Sequence, residues 1–162
     1  MKKKNLPLLQ NIEITGIAAE GKAITRVDDM VLFVPYCVPG DIVDIQVTRR
    51  KHSFMEARVE RLVKPSATRC EPVCKHYGEC GGCKWQILPY EEQLRHKQQQ
   101  IVDNLTRIGK VELPEISPIL GSKHIYEYRN KLEFTCSDRK WLSWDVIRAA
   151  GGMENVDNSY GL

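Results

Sequence analysis

The sequence has 162 residues, 42% of them apolar and 28% charged, which suffices for one modest domain or two small ones with a real core and excludes a disordered chain. No apolar run approaches the ~20 residues of a membrane-spanning helix, so we expect no signal peptide and no membrane anchor. We expect a cytoplasmic protein that is a monomer. The basic part lies in front, because residues 1–69 hold 12 Lys and Arg against 8 Asp and Glu, whereas residues 70–162 hold 12 against 13.

The first 60 residues predict short β-strands, because apolar and polar residues alternate between turn-forming pieces such as Pro39-Gly40-Asp41. Five strands this short suit a closed barrel of the OB type better than a sandwich, since a closed barrel leaves no open edge. We therefore predict an α+β protein whose residues 1–65 form a five-stranded OB-like barrel. The predicted strands are 12–14, 23–27, 31–34, 42–47 and 54–59.

The remainder divides at two points. Residues 66–88 are cysteine-rich and interrupted by Pro and Gly, so this stretch needs a covalent or metal staple to order it. Residues 89–162 begin with a helical period that predicts a helix over 89–108. A hairpin predicted from strands 131–136 and 140–144 would then start a small α/β domain, which the loop-like tail leaves incomplete.

The end of the barrel predicts a nucleic-acid footprint, because seven basic residues lie between 46 and 69 against two acidic ones. Solvated strand charges are the ordinary alternative, and the sequence leaves it open. The candidate RNA-binding residues are Arg49, Arg50, Lys51, Arg58 and Arg61.

Cys74, Cys80 and Cys83 form a C-x5-C-x2-C array with two glycines in its second gap. In a reducing compartment clustered thiols are more often metal ligands than disulfides. Three close thiols with a remote fourth favour a [4Fe–4S] cluster, while zinc and a metal-free loop stay open. Cys70 could in principle complete a four-sulfur site. The C-x3-C-x2-C array of radical S-adenosylmethionine enzymes is absent.

Taken together, these motifs resemble the TRAM-domain, iron–sulfur RNA (uracil-5-)-methyltransferases that modify 23S ribosomal RNA. Residues 34–43 resemble the TRAM pattern, and 74–86 the cluster signature. Residues 90–109 resemble the helix that follows the cluster, and 128–131 the entry to the central hairpin. The resemblance covers the N-terminal part of such an enzyme.

The resemblance implies that Cys74, Cys80 and Cys83 are three of four cluster ligands and that the fourth lies beyond this chain. Cys136, the one cysteine downstream, is expected to be a small buried apolar residue rather than that ligand. Cys37 is expected to be structural.

The resemblance also implies transfer of a methyl group from S-adenosylmethionine to C5 of a uridine, which needs a nucleophilic cysteine and a cofactor pocket. Neither is visible, so we assign no catalytic or cofactor-binding residue here. We expect an inactive chain, with the methyltransferase domain C-terminal to it in an active full-length enzyme. Tyr128 and Arg129 are further RNA-binding candidates. The alternatives are a non-catalytic, zinc-stabilised RNA-binding module and the same enzyme class acting on tRNA.

Overall fold

A computed structural model describes residues 6–128, 130, 131, 136 and 138–156. The chain divides into two compact units, Met1–Gly121 and Ser122–Leu162. Among the helices of the described residues, none is long and apolar enough to cross a bilayer.

The first unit contains a closed β-barrel. Its strands are β1 (Leu8–Glu13), β2 (Gly16–Ile17), β3 (Ala23–Val27), β4 (Met30–Val34), β5 (Ile42–Arg50) and β6 (Phe54–Lys64). They pair in the order β1-β5-β6-β4-β3-β2, and every pair is antiparallel except β4 with β6. The two ends of this sheet, β1 and β2, are halves of one continuous segment interrupted at Ile14 and Thr15. The sheet therefore closes through that segment, as an OB-like barrel requires.

The barrel core consists of the inward half of each alternating strand. Ile14, Leu32, Val34, Val43 and Ile45 are fully buried at its centre. Cys37 joins the same cluster, which confirms its expected structural place.

All five predicted strands are present, and the prediction of an OB-like barrel is confirmed. The structure adds β2, places β1 at Leu8–Glu13 rather than at 12–14, and lengthens β5 and β6 beyond their predicted ends. Register shifts in the β5–β6 pair interrupt the alternation of apolar residues. A prediction from the two-residue alternation alone therefore ends β5 and β6 too early.

The predicted helix over 89–108 is also confirmed. Helix α1 spans Tyr90–Asp103 and continues as a π turn, Asn104–Ile108, that ends at Gly109. Glu91 and Glu92 lie in the first turn, where negative charge favours the helix dipole. The segment after the helix runs back along it, since Gln98 bonds to the backbone of both Ser117 and Ile119.

In the second unit the structure corrects the predicted hairpin. Residues 140–143 form no strand, and helix α2 (Trp144–Ala149) begins where the second strand was expected to end. The reason is an N-cap, because the Ser143 hydroxyl accepts a hydrogen bond from the Val146 amide at 3.3 Å. Residues 132–135 of the first predicted strand lie outside the described residues.

Two further expectations concern this unit. Cys136 is exposed, so the prediction that it is buried is wrong. Tyr128 is 70% exposed and therefore accessible to a ligand, while Arg129 lies outside the described residues.

Candidate nucleic-acid interface and thiol loop

A buried carboxylate joins the barrel to the segment that leads into the cysteines. Asp41 is fully buried, and its side chain accepts hydrogen bonds from the amides of Val38 and Ser66, each at 2.9 Å. Arg69 completes the set with an ion pair at 2.6 Å. Because Ser66 and Arg69 lie at the start of the cysteine-rich stretch, this carboxylate fixes where that stretch leaves the barrel.

Gly40 lets this junction form. Its φ of +87° lies in the left-handed region, and a Cβ there would come within 2.8 Å of the Ser66 hydroxyl. The sequence predicts that the Pro39-Gly40-Asp41 turn separates two strands. The structure shows that this turn also contacts the segment 65–69.

The thiol loop, residues 74–83, is anchored at its base. Ile87 and Leu88 are buried against Val38 in a second apolar cluster beside the barrel. The Gln86 side chain accepts a hydrogen bond from the Cys74 amide at 3.0 Å. The Gln93 side chain donates to the carbonyls of Trp85 and Leu88. These contacts hold both ends of the thiol loop against the barrel and α1.

The tip of the thiol loop is open. Cys80 and Cys83 are exposed and Cys74 is half-buried. Gly81 has a φ of +73°, and open space surrounds the position that its Cβ would occupy. Three soft thiols on one accessible loop have the chemistry of a zinc or iron–sulfur site. Across the described part of the chain, however, no three His, Cys, Asp or Glu side chains lie together as metal ligands would.

Thiol chemistry distinguishes the cysteines of the first unit. Burial, assisted by the negative charge of Asp41, raises the pKa of the Cys37 thiol to about 12. The Cys37 thiolate fraction at pH 8 is then on the order of 10⁻⁴, and its thiol is sterically shielded. We therefore expect iodoacetamide to label Cys80 and Cys83 in the folded, metal-free chain and to spare Cys37, as measured by peptide mass spectrometry.

The control for this labelling is the same reaction in denaturant, where Cys37 should become as reactive as Cys80. Labelling of Cys37 at the rate of Cys80 in the folded chain would contradict its burial.

The five basic candidates on the barrel differ in their partners. Arg58 pairs with Glu60 at 2.7 Å, and Arg49 lies 3.8 Å from Glu56. Arg50, at the end of β5, and Lys51, in the turn before β6, form no ion pair within the described residues. Both are exposed. A phosphate could therefore bind Arg50 and Lys51 at the β5–β6 turn without displacing a carboxylate.

Arg61 is held by the barrel itself. Its guanidinium pairs at 2.8 Å with Asp44, whose carboxylate is buried and also accepts a hydrogen bond from the Asn11 amide. That amide bond, reinforced by Arg61, holds the pKa of Asp44 below its usual range. Arg61 therefore has a structural partner, whereas its contact with RNA stays a prediction.

Comparison with known proteins identifies this barrel. The family model for the TRAM domain of tRNA (uracil(54)-C(5))-methyltransferase matches residues 11–68, the same segment that closes into the barrel. The barrel is a TRAM domain of the RNA uracil-C5 methyltransferase family.

Similar proteins extend the comparison beyond the TRAM domain. A Bacteroides thetaiotaomicron protein named as an uncharacterized RNA methyltransferase is 60% identical over 132 residues, 82% of this chain and 29% of that protein. The Legionella pneumophila 23S rRNA (uracil(1939)-C(5))-methyltransferase RlmD is 39% identical over 122 residues, 75% of this chain and 27% of that protein. The chain thus spans less than a third of the length of these curated relatives.

Among solved structures, one similar chain is the Pyrococcus abyssi tRNA (uracil-54, C5)-methyltransferase in complex with S-adenosyl-L-homocysteine. It is 26% identical with a TM-score of 0.39, and the match covers 67% of this chain and 23% of that one.

Proposed function

We propose that this chain is the RNA-recognising part of a cytoplasmic, S-adenosylmethionine-dependent RNA uracil-C5 methyltransferase. The observation that carries the proposal is the β5–β6 turn of the TRAM barrel, where the cations of Arg50 and Lys51 have no carboxylate partner among the described residues. A phosphate backbone is the polyanion that such a turn is suited to bind. Arg58 and Arg61 would add contacts at the cost of their present ion pairs.

The substrate we propose is 23S ribosomal RNA, because a relative that bears this activity in its name matches three quarters of the chain. A tRNA uridine is the alternative, since the family model that matches the barrel is named for a tRNA enzyme. Tyr128 and Arg129 would contact the same RNA outside the barrel. We assign S-adenosylmethionine binding and catalysis to a methyltransferase domain C-terminal to these residues.

We propose a separate role for each successive segment of the chain. Residues 1–65 bind RNA, 66–88 hold the metal, and 89–162 begin a central domain. In the 66–88 stretch, Cys74, Cys80 and Cys83 would be three ligands of a [4Fe–4S] cluster with a structural role. The donor chemistry, the anchored base of the thiol loop and the exposure of Cys80 and Cys83 at its tip support this assignment.

A zinc-stabilised, non-catalytic RNA-binding module is the second candidate, because the same thiols suit zinc. The two candidates differ in colour when a protein of the length of the curated relatives is purified without air, since an iron–sulfur protein is brown and a zinc protein is colourless.

The RNA proposal is tested by salt dependence. Replacing Arg49, Arg50 and Lys51 together by Gln should weaken binding to single-stranded RNA regardless of sequence. It should also reduce the slope of log affinity against log salt by about 2, since each lost phosphate contact contributes roughly 0.7. Fluorescence anisotropy titrations at several salt concentrations measure this slope.

A variant of equal charge change serves as the control. Arg95, Arg107 and Lys110 lie on or just after α1, and the two arginines pair there with Glu92 and Asp103. Their joint replacement by Gln should leave the slope within experimental error. Equal effects of the two triple variants would show that the β5–β6 turn contributes no more to RNA binding than ordinary surface charge does.

A further inference from the structure

Two phenylalanines lie together on the outer surface of the barrel. Phe33 on β4 alternates with Leu32 and Val34, which are fully buried, so its side chain lies on the opposite face of the sheet. Phe54 precedes the buried Met55 on β6 and faces outward likewise. Their rings meet edge to face with centroids 5.7 Å apart.

This pair contributes to neither apolar cluster of the barrel. Both rings are partly exposed, and neither belongs to the residues that form the barrel core or pack against it. Core packing therefore does not account for two large aromatic residues at diagonally neighbouring outward positions. An outward aromatic pair offers flat apolar surface, which flat apolar groups can cover.

The register surrounds the pair with more cations than carboxylates. On β3, Ile24 lies beside Phe33, and Arg26 lies beside Val31, which itself pairs with Phe54. On the other side, Glu56 of β6 lies beside Phe33, and Arg49 of β5 lies opposite Glu56, 3.8 Å from its carboxylate. The same strand continues to Arg58, which pairs with Glu60, and the β5–β6 turn that carries Lys51 leads directly into Phe54. An occupant that combines planar apolar groups with negative charge therefore fits this surface.

We infer that Phe33 and Phe54 form a stacking platform for bases of a single-stranded RNA segment, whose phosphates bind the surrounding cations. The inference deepens the proposed function and rests on it, because it names how the barrel takes its RNA. Stacking on an aromatic ring is tolerant of sequence, since every base has a π face. The platform therefore adds affinity without selecting a particular uridine.

The test separates stacking from charge. A fluorescently labelled oligouridine of about ten nucleotides is titrated with the 162-residue chain, with Phe33→Leu and with Phe54→Leu. Leucine keeps apolar bulk and removes the ring. Each variant should bind about 5- to 150-fold more weakly, the range for one lost stacked base, with an unchanged salt slope because no phosphate contact is removed. Phe54→Trp should bind as tightly as the unsubstituted chain. Circular dichroism melting should show that all variants are folded.

An oligomer of abasic ribose phosphates supplies the matched probe. The unsubstituted chain should bind it more weakly than oligouridine, and the two leucine variants should lose nothing further. If both leucine variants bind oligouridine as the unsubstituted chain does, while the Arg49, Arg50 and Lys51 variant still loses salt dependence, the platform is wrong and the proposed function stands. Equal losses on both probes would also overturn the platform. Absence of RNA binding by the unsubstituted chain would overturn both.

Discussion

Replacing Asp41 by Ala should lower the free energy of unfolding by ~3–5 kcal/mol, because it removes one partner of a buried ion pair. The substitution leaves the Arg69 guanidinium, 23% exposed, facing an apolar gap, and it orphans the amides of Val38 and Ser66. For a domain whose total stability is about 5–15 kcal/mol, this loss is a large fraction of the total. Urea denaturation followed by circular dichroism measures the change.

The control for this loss is an exposed ion pair of the same barrel. Arg58 and Glu60 are 2.7 Å apart, but the Arg58 side chain is 57% exposed, so Arg58→Ala should cost no more than about 1 kcal/mol. Asp41→Asn keeps the shape and should fall between the two. A loss below 1 kcal/mol for Asp41→Ala would show that the junction does not depend on this carboxylate.

Mutating Cys80 to Ser should abolish the cluster in a protein of the length of the curated relatives. Serine is a poor ligand for iron, and the cluster would retain two of the three thiols that we assign to it in the thiol loop. We expect loss of stoichiometric iron and of visible absorption, together with faster proteolysis within 66–88. Iron analysis after purification without air measures the result, and full iron retention would reject the assignment.

Cys37 and Cys70 provide controls for the cluster. Cys37 is buried in the barrel core, and the Cys70 thiol donates to the Gln86 carbonyl at 3.4 Å, so Cys37→Ala and Cys70→Ser should both keep their iron. The 162-residue chain alone should hold little stable cluster, because three ligands leave one iron open. An air-stable, stoichiometric cluster in that chain would mean that Cys70 or Cys136 supplies the fourth thiol.

The barrel was predictable because its information is local. Apolar residues alternate within each strand, and turn-forming residues separate the strands, so each of the five predicted strands overlaps an observed one, although β1 begins four residues before its predicted start. The same reasoning failed at 140–144, where Trp141, Leu142 and Trp144 predicted a strand. There the cap formed by Ser143, which is also a local feature of the sequence, favoured a helix instead.

The contacts of the candidate site were less predictable because they are long-range. Asp41 and Arg69 are 28 residues apart, so the sequence placed Arg69 among the surface cations when its charge is committed to a buried carboxylate. Phe33 and Phe54 meet through the parallel pairing of β4 with β6, which no hairpin pattern in the sequence predicts. The outward position of each ring in its strand was the available signal. The spacing of the three thiols, by contrast, is local and can be read from the sequence. Their convergence into a metal site depends on the metal.

The most direct test of the account is transfer of a labelled methyl group from S-adenosylmethionine to unmodified ribosomal RNA, with the product nucleosides separated by chromatography. A protein of the curated relatives' length that contains this chain should form 5-methyluridine. The 162-residue chain should bind the same RNA and form none, since we assign the chemistry to a domain beyond it. Methyl transfer by the 162-residue chain, or failure of the longer protein to methylate either ribosomal RNA or tRNA, would contradict the account.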